Sequence, residues 1–326
     1  MNYILLISGF ILLFIGGEML VRGSVEISKR LGISTILIGM IVVGFGTSTP
    51  ELLVSVQASL IGQSDIALGN IVGSNIANVL LILGISAVIS PIICNDKVIS
   101  RDSFTVMITS ILLTGLTNFS VISRIEGFFM LTSLILYLFY SYKAEQKQKS
   151  ATILSHFVNT PHEEEAKEFE SKKTNLITSV LLVIIGIIIL ICGANFLIKG
   201  AVNLARQIGV SEAIIGLSLI AVGTSLPELA TSIIASIKKN SDIVIGNILG
   251  SNLFNILGIL GLTAIVKPIQ INNKVADFDI PFNMGISIGS VLIIFLIKKF
   301  DRTVGIISLI VYIAYITYLY LNGNIA

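Results

Sequence analysis

The sequence predicts an all-α membrane protein of about ten transmembrane helices, arranged as two inverted five-helix repeats. Three observations carry that prediction. Long apolar runs recur from end to end, charge is scarce, and the second half of the chain repeats the first. The 326 residues are 54% hydrophobic and only 12% charged, whereas a soluble domain is about a quarter charged. Runs of about 20 apolar residues are long enough to cross roughly 30 Å of hydrocarbon. They predict spans at 3–25, 34–61, 67–93, 103–121, 125–142, 176–200, 211–237, 243–266, 279–297 and 303–321.

The first run lacks the basic flank and small-residue cleavage site of a signal peptide. It runs on into Gly16-Gly17-Glu18 and is read as a retained helix. A net charge of +2 gives no basic surface for nucleic acid. Cys94 and Cys192 lie at or in membrane segments and form neither a disulfide framework nor a metal-ligand spacing. With no Trp, an aromatic belt at the membrane surface falls to Tyr and Phe.

Lys and Arg orient the chain, because short cytoplasmic loops are enriched in both. With the N-terminus outside, one set of loops holds 16 of the 21 basic residues, including Lys29, Arg30, Lys97, Arg101, Lys143, Lys238, Lys239, Lys298 and Lys299. The other set holds Arg124, Lys199, Arg206, Lys267 and Lys274. Both termini are therefore expected outside, and the connector of residues 143–175 in the cytoplasm. That connector separates repeat one (1–142) from repeat two (176–326). Its His156 and the run Pro161-His162-Glu163-Glu164-Glu165 are read as a solvated charged segment rather than a metal site.

A shift of 177 residues lays the chain on itself. Gly-Thr-Ser-Thr-Pro-Glu-Leu at 46–52 falls on Gly-Thr-Ser-Leu-Pro-Glu-Leu at 223–229. Gly-Asn-Ile-Val-Gly-Ser-Asn-Ile-Ala-Asn at 69–78 falls on Gly-Asn-Ile-Leu-Gly-Ser-Asn-Leu-Phe-Asn at 246–255. Without a gap, 34 of the 77 positions from 16 to 92 are identical to their partners. Five spans per copy invert the second copy, the arrangement that puts a transporter's substrate site near the midplane where the copies meet.

Glu51 and Glu228 are the central residues. Each lies in an apolar span, where a charge costs at least about 2.5–3.5 kcal/mol. A bound cation is the simplest offset. The competing explanation is a protonated Glu that joins helices, but recurrence within one seven-residue frame favours the cation. Pro50 and Pro227 lack an N–H, so the carbonyls of Gly46 and Gly223 lose their helical partners. A broken helix in lipid is tolerated where it lines a polar cavity. A plain proline kink is the alternative, and the adjacent Glu argues against it. Thr47, Ser48, Thr224 and Ser225 then face the cavity with hard oxygens that suit sodium and calcium.

In the second motif, Gly69 and Gly73, like Gly246 and Gly250, have the small-xxx-small spacing of close helix contact. Ser74 and Asn78 share a helix face, as do Ser251 and Asn255, and can supply further oxygens. Asn70, Asn75, Asn247 and Asn252 are read as interhelical hydrogen-bond formers. Glu18 is expected to pair with Arg22, and Asp65 and Asp242 to cap the helices that follow them.

The two frames, each present once per half, resemble the alpha repeats of the cation/calcium exchanger superfamily, and most of all its prokaryotic sodium/calcium exchangers. The resemblance covers nearly the whole chain and implies the sodium/calcium exchanger fold. It implies ligands from Gly44 (backbone), Thr47, Ser48, Glu51, Ser74 and Asn78 in the first copy. The second copy would give Ala221 (backbone), Thr224, Ser225, Glu228, Ser251 and Asn255. Several relatives carry Asp where this chain has Asn255, so the site here has two carboxylates rather than three, which argues against potassium co-transport. The implied activity is exchange of sodium for calcium across the cytoplasmic membrane by alternating access. No enzymatic activity and no resident cofactor are expected; calcium and sodium are cargo. The alternative is a proton/calcium antiporter of the same superfamily. A passive cation channel is disfavoured because no ring-type selectivity filter is visible, and a hydrolase because no membrane histidine or paired Asp motif is present.

Overall fold

The structure is a computed structural model that describes residues 2–94, 97–159, 175–207, 221–271 and 275–321. It is mostly helical. The first half runs α1 (Asn2–Leu31), α2 (Thr35–Thr47), α3 (Thr49–Leu60), α4 (Ser64–Ile89), β1 (Ile92–Ile93), α5 (Lys97–Leu116), β2 (Val121–Ile122) and α6 (Arg124–Asn159). The second half runs α7 (Leu176–Gln207), α8 (Ala221–Thr224), α9 (Leu226–Ile237), α10 (Ser241–Val266), β3 (Ile269–Gln270), α11 (Val275–Ile297), β4 (Lys299–Phe300) and α12 (Arg302–Leu321).

Among the described residues, seven helices are long and apolar enough to cross a bilayer, and α2 with α3 makes an eighth if the bent pair is one span. The chain is thus an integral, multi-pass membrane protein. Two of the ten expected spans stand apart from these. The helix expected at 103–121 is α5; it begins earlier, at Lys97, and brings Arg101 and Asp102 into its first turns. The span expected at 211–237 is described only from Ala221 onward, as α8 and α9, and its start lies outside the described residues. Helix α6 runs across the boundary expected near Lys143 as far as Asn159. The acidic run at 161–165 lies outside the described residues.

Burial separates centre from periphery. In α4 and α10, 78% and 94% of the most apolar stretch is buried, against 17% in α12. The outer helices instead expose large apolar side chains, such as Phe128 and Leu296, as a lipid-facing surface requires. So the two helices that carry the repeated Gly-Ser-Asn frame form the core, and the rest screen them.

The symmetry read from the sequence recurs in the contacts. Asp102 accepts the Tyr137 hydroxyl at 2.6 Å, and Asp279, 177 positions on, accepts Tyr315 at 2.9 Å. Ser110 and Ser287, also 177 apart, meet each other at 2.9 Å. The short strands were not expected from the helical pattern. Strand β1 pairs antiparallel with β4, and β2 with β3, so each pair ties one repeat to the other.

These ties also sort the loops. Ser34 donates to Glu145 and Thr35 to Asp242, and β1 meets β4; all these segments fall in the Lys/Arg-rich set. Lys267 reaches the Leu60 carbonyl, Gln270 N–H reaches Ser64, and β2 meets β3; all these fall in the poor set. Contacts and charge therefore divide the loops identically.

Helices α1 and α7 lie along each other through a seam of glycines that hydrophobic periodicity does not mark. Glycines stand at 9, 16 and 23, and at 186, 193 and 200, seven apart in each helix and 177 apart between them. A Cβ at Gly16 would lie 2.8 Å from the Gly186 carbonyl oxygen, and one at Gly193 would lie 2.8 Å from the Leu13 nitrogen. Lipid gives helices no hydrophobic reason to associate, so close backbone approach supplies the contact. The Gly-xxx-Gly of α10 works in the same way, as Gly246 packs on Gly39 and Gly250 on Met40.

Other local expectations change. Glu18 pairs with Lys238 at the end of α9, not with Arg22, because the fold brings α9 against α1. Asp65 and Asp242 are not caps. Gln63 and Asn240 hold the cap positions, and the two Asp residues lie inside the first turn, where a negative charge still favours the helix dipole.

The seam yields a direct test. Gly16→Val places branched carbons against the α7 backbone, and overpacking of this kind costs about 1–3 kcal/mol. The purified protein in detergent should melt several degrees lower; an unchanged melting temperature would contradict this seam.

Candidate cation site

The sequence motifs meet at the centre of the molecule. Helix α2 ends at Thr47, Ser48 breaks the helical run with φ −80° and ψ 7°, and α3 restarts at Thr49 with a bend of 45°. Pro50 sits in the first turn of α3, where its missing N–H has no helical partner to lose. Ser225 repeats the break between α8 and α9 with φ −86° and ψ 8°. The break is narrower than an opened helix. The Gly44 carbonyl, expected as a cation ligand, accepts the Ser48 N–H at 3.1 Å and the hydroxyls of Thr47 at 3.3 Å and Ser251 at 3.4 Å. Ala221 begins α8 at the corresponding position.

Glu51 and Glu228 stand in the first turns of α3 and α9 and are 1% and 2% exposed. Their hydrogen bonds cross between the repeats. Ser48 donates to Glu228 Oε1 at 2.9 Å, and Ser225 donates to Glu51 Oε1 at 3.1 Å. Ser74 lies 3.5 Å from the same Glu51 oxygen and 3.2 Å from Ser225 Oγ. The second oxygen of each carboxylate, Oε2, accepts no hydrogen bond. Buried acceptors rarely stay unpaired, and each such atom needs an explanation.

Two more oxygens share that condition. Asn78 and Asn255 are each 1% exposed, and Oδ1 of both is unpaired. Their amide nitrogens are engaged across the repeat boundary: Asn78 donates to Asn252 Oδ1 at 3.0 Å, and Asn255 to Asn75 Oδ1 at 2.9 Å. π-helical segments mark both positions, at Asn78–Ile82 and Phe254–Leu260, and a third, Gly39–Gly44, precedes the break at Ser48. Such segments are often found at functional sites, and residue spacing alone did not reveal them.

The threonines of the motif have partners besides the glutamates. Thr47 donates to the Val43 carbonyl at 3.0 Å and reaches Asn247 Oδ1 at 3.2 Å; Thr224 reaches Asn70 Oδ1 at 3.3 Å. Asn70 and Asn247 then clamp the helix behind each glutamate. Asn70 donates to the Glu51 carbonyl and to Ser55, and Asn247 to the Glu228 carbonyl and to Ser232. The four interhelical asparagines therefore do what their position off the Ser-Asn face predicted. Hydrogen bonds join Ser48 to Glu228, and Ser225 and Ser74 to Glu51, whereas Thr47, Thr224, Ser251, Asn78 and Asn255 bond to Asn247, Asn70, Gly44 O, Asn252 and Asn75. Hydroxyls meet both carboxylates, and the helices that carry the buried amide oxygens of Asn78 and Asn255 pack against the glutamate helices; among the described residues there is no cluster of three or more His, Cys, Asp and Glu. Such a donor set suits hard cations.

Comparison with known proteins identifies the family. Residues 1–143 and 178–321 match the family described as sodium/calcium exchanger protein. The inner membrane protein YrbG of Escherichia coli is 34% identical over 269 residues, 82% of this chain and 81% of the relative. The sodium/calcium exchanger MaX1 of Methanosarcina acetivorans is 27% identical, with 98% of each chain covered. A solved structure of the sodium-calcium exchanger NCX_Mj, from a crystal soaked without sodium or calcium, superposes with a TM-score of 0.82 at 31% identity over 98% of both chains. Others of the same exchanger were soaked with sodium together with calcium or strontium.

The clamp can be tested without transport. Asn247→Ala strips the amide from the Glu228 carbonyl, Ser232 and Thr47, and leaving buried partners unpaired costs about 1–3 kcal/mol. A melting temperature lower by several degrees is expected, with a similar fall for Asn70→Ala by symmetry; unchanged values would remove the clamp.

Proposed function

This chain belongs to the sodium/calcium exchanger family, and on that footing we propose that it exchanges sodium for calcium at one central site built around Glu51 and Glu228. It is a membrane transporter rather than an enzyme. The observation that carries the site is the set of four buried, unpaired oxygens: Oε2 of Glu51 and Glu228, and Oδ1 of Asn78 and Asn255. In a dry interior such atoms need a positive partner. The hydroxyls of Thr47, Ser48, Ser74, Thr224, Ser225 and Ser251, with the carbonyls of Gly44 and Ala221, complete the proposed donor set. Engagement of the Gly44 carbonyl leaves it a minor contributor in the present arrangement.

The charge balance gives the mechanism. Two ionised glutamates carry −2, which one calcium ion neutralises. Sodium ions spread over adjacent oxygens neutralise the same charge, so the two cations compete for overlapping positions. An empty site keeps both charges buried, and that makes the transition between outward and inward access costly. Loaded forms cross and the empty form does not, which is the requirement for coupled exchange. An exchange that leaves one net charge uncompensated is worth about 2.3 kcal/mol per 100 mV of membrane potential.

In the cytoplasmic membrane, the loops that hold 16 of the 21 basic residues face the cytoplasm. That leaves both termini outside and the connector inside. The loop contacts support the grouping, and the charge bias supplies its direction.

The deciding measurement is calcium-45 uptake into proteoliposomes driven by a sodium gradient. Glu51→Gln and Glu228→Gln should each abolish coupled flux while the protein still purifies as a folded species. Full flux in either variant removes that glutamate from the site. Uptake driven by a pH gradient with sodium absent would instead make protons the coupling ion, and uptake indifferent to any gradient would make the protein a channel.

A further inference from the structure

Asn78 and Asn255 each carry an amide that is ambiguous as a cation ligand. One end is an oxygen that attracts a cation; the other is an N–H group that repels it. A half-turn of the side chain exchanges the two. The neighbouring asparagines of the opposite repeat decide between them. Asn255 Nδ2 donates to Asn75 Oδ1 at 2.9 Å, and Asn78 Nδ2 donates to Asn252 Oδ1 at 3.0 Å. Asn75 is itself anchored, because its Nδ2 lies 3.5 Å from the Asn252 carbonyl oxygen as donor. With that amide nitrogen committed to a backbone acceptor, Asn75 offers Asn255 an oxygen. Asn255 answers with its N–H, and its own Oδ1 is left facing the unpaired position.

We propose that Asn75 and Asn252 are positioning residues that fix the amide orientation of Asn255 and Asn78, so that each repeat aims the other repeat's ligand oxygen at the cation. The proposal rests on the central-site reading given above. All four residues are 1% exposed, so bulk solvent does not reach a turned amide. A turned Asn255 would set its oxygen against Asn75 Oδ1, two acceptors face to face, and would point N–H groups at the cation position. Both changes are unfavourable in a low-dielectric interior. Neither Asn75 nor Asn252 needs to touch the cation for this role.

The arrangement has a chemical signature. Aspartate in place of Asn255 or Asn78 presents oxygen whichever way it turns, so it needs no aiming. The effect of Asn75 should therefore depend on what stands at 255. In proteoliposomes, Asn75→Ala is expected to shift the apparent KM for calcium or the half-saturating sodium concentration by about tenfold, the scale of one lost buried hydrogen bond. In the Asn255→Asp background the same substitution should shift neither by more than about twofold. Asn252→Ala tested with Asn78→Asp forms the mirror-image cycle. It decides the matter if Asn75→Ala is not recovered as a monodisperse protein.

Equal shifts in both backgrounds would reduce Asn75 to a structural contact and overturn the proposal, as would no shift in either. Loss of coupled flux in Glu51→Gln alongside such a result would leave the central site standing and remove only the aiming role. Full flux in the glutamine variants would instead overturn the central site itself.

Discussion

Two carboxylates buried in a membrane interior set the terms for the rest of this structure. An ionised Glu in hydrocarbon is costly, and Glu51 and Glu228 are almost completely enclosed. The chain meets that constraint by exchanging donors between its halves. Ser48 of the first repeat serves Glu228 of the second, and Ser225 of the second serves Glu51 of the first. Within its own repeat Glu51 meets Ser74 only at 3.5 Å, and the shorter bonds to both glutamates come from the opposite repeat, which requires the two to pack face to face. The donors engage one oxygen of each carboxylate and leave the other unpaired. The site is thereby organised without being neutralised, which is what a reversible cation site needs.

The architecture around the glutamates follows from the same medium. Lipid offers no hydrophobic drive for helix association, so short-range contact and polar pairing hold the helices together. Glycines provide the contact where α1 meets α7 and where α10 meets α2. Polar pairs that recur in both halves, such as Asp102–Tyr137 and Asp279–Tyr315, fasten the outer helices. Two-residue strand pairs close the molecule across the repeats. Each device is small, and the Asp–Tyr pairs and the strand pairs occur twice, whereas the matching glycines of α4, Gly69 and Gly73, make no such close contact among the described residues.

Much of this was legible in the residues themselves. Charge scarcity and run length gave the membrane class, and the ungapped repeat gave the two halves. The Gly-Thr-Ser-x-Pro-Glu and Gly-Ser-Asn frames marked the side chains that meet in the centre. Local partners were harder to read. Glu18 looked toward Arg22 on its own helix, yet it pairs with Lys238, which is 220 positions away. Asp65 and Asp242 looked like caps, yet each stands two residues past the cap position, inside the first turn. The glycine seam of α1 and α7 was present as a period of seven in both halves, but apolar counting does not weigh glycine. The π-helical segments leave no compositional mark.

The sequence by itself determined that this protein lies in a membrane, that it is built from two related halves of opposite orientation, and that each half brings one glutamate, one Ser-Asn pair and one proline-broken helix. Those are properties of periodicity and residue chemistry, which need no coordinates. Tertiary structure alone decided who serves whom: that Ser48 and Ser225 each cross to the other repeat's glutamate, that Gly44 O is already engaged, and that Asn75 and Asn252 hold the amides of Asn255 and Asn78. Such pairings join residues about 150 to 207 positions apart. Nothing local in the chain encodes them, because they exist only once the packed helices bring the two repeats within hydrogen-bonding distance.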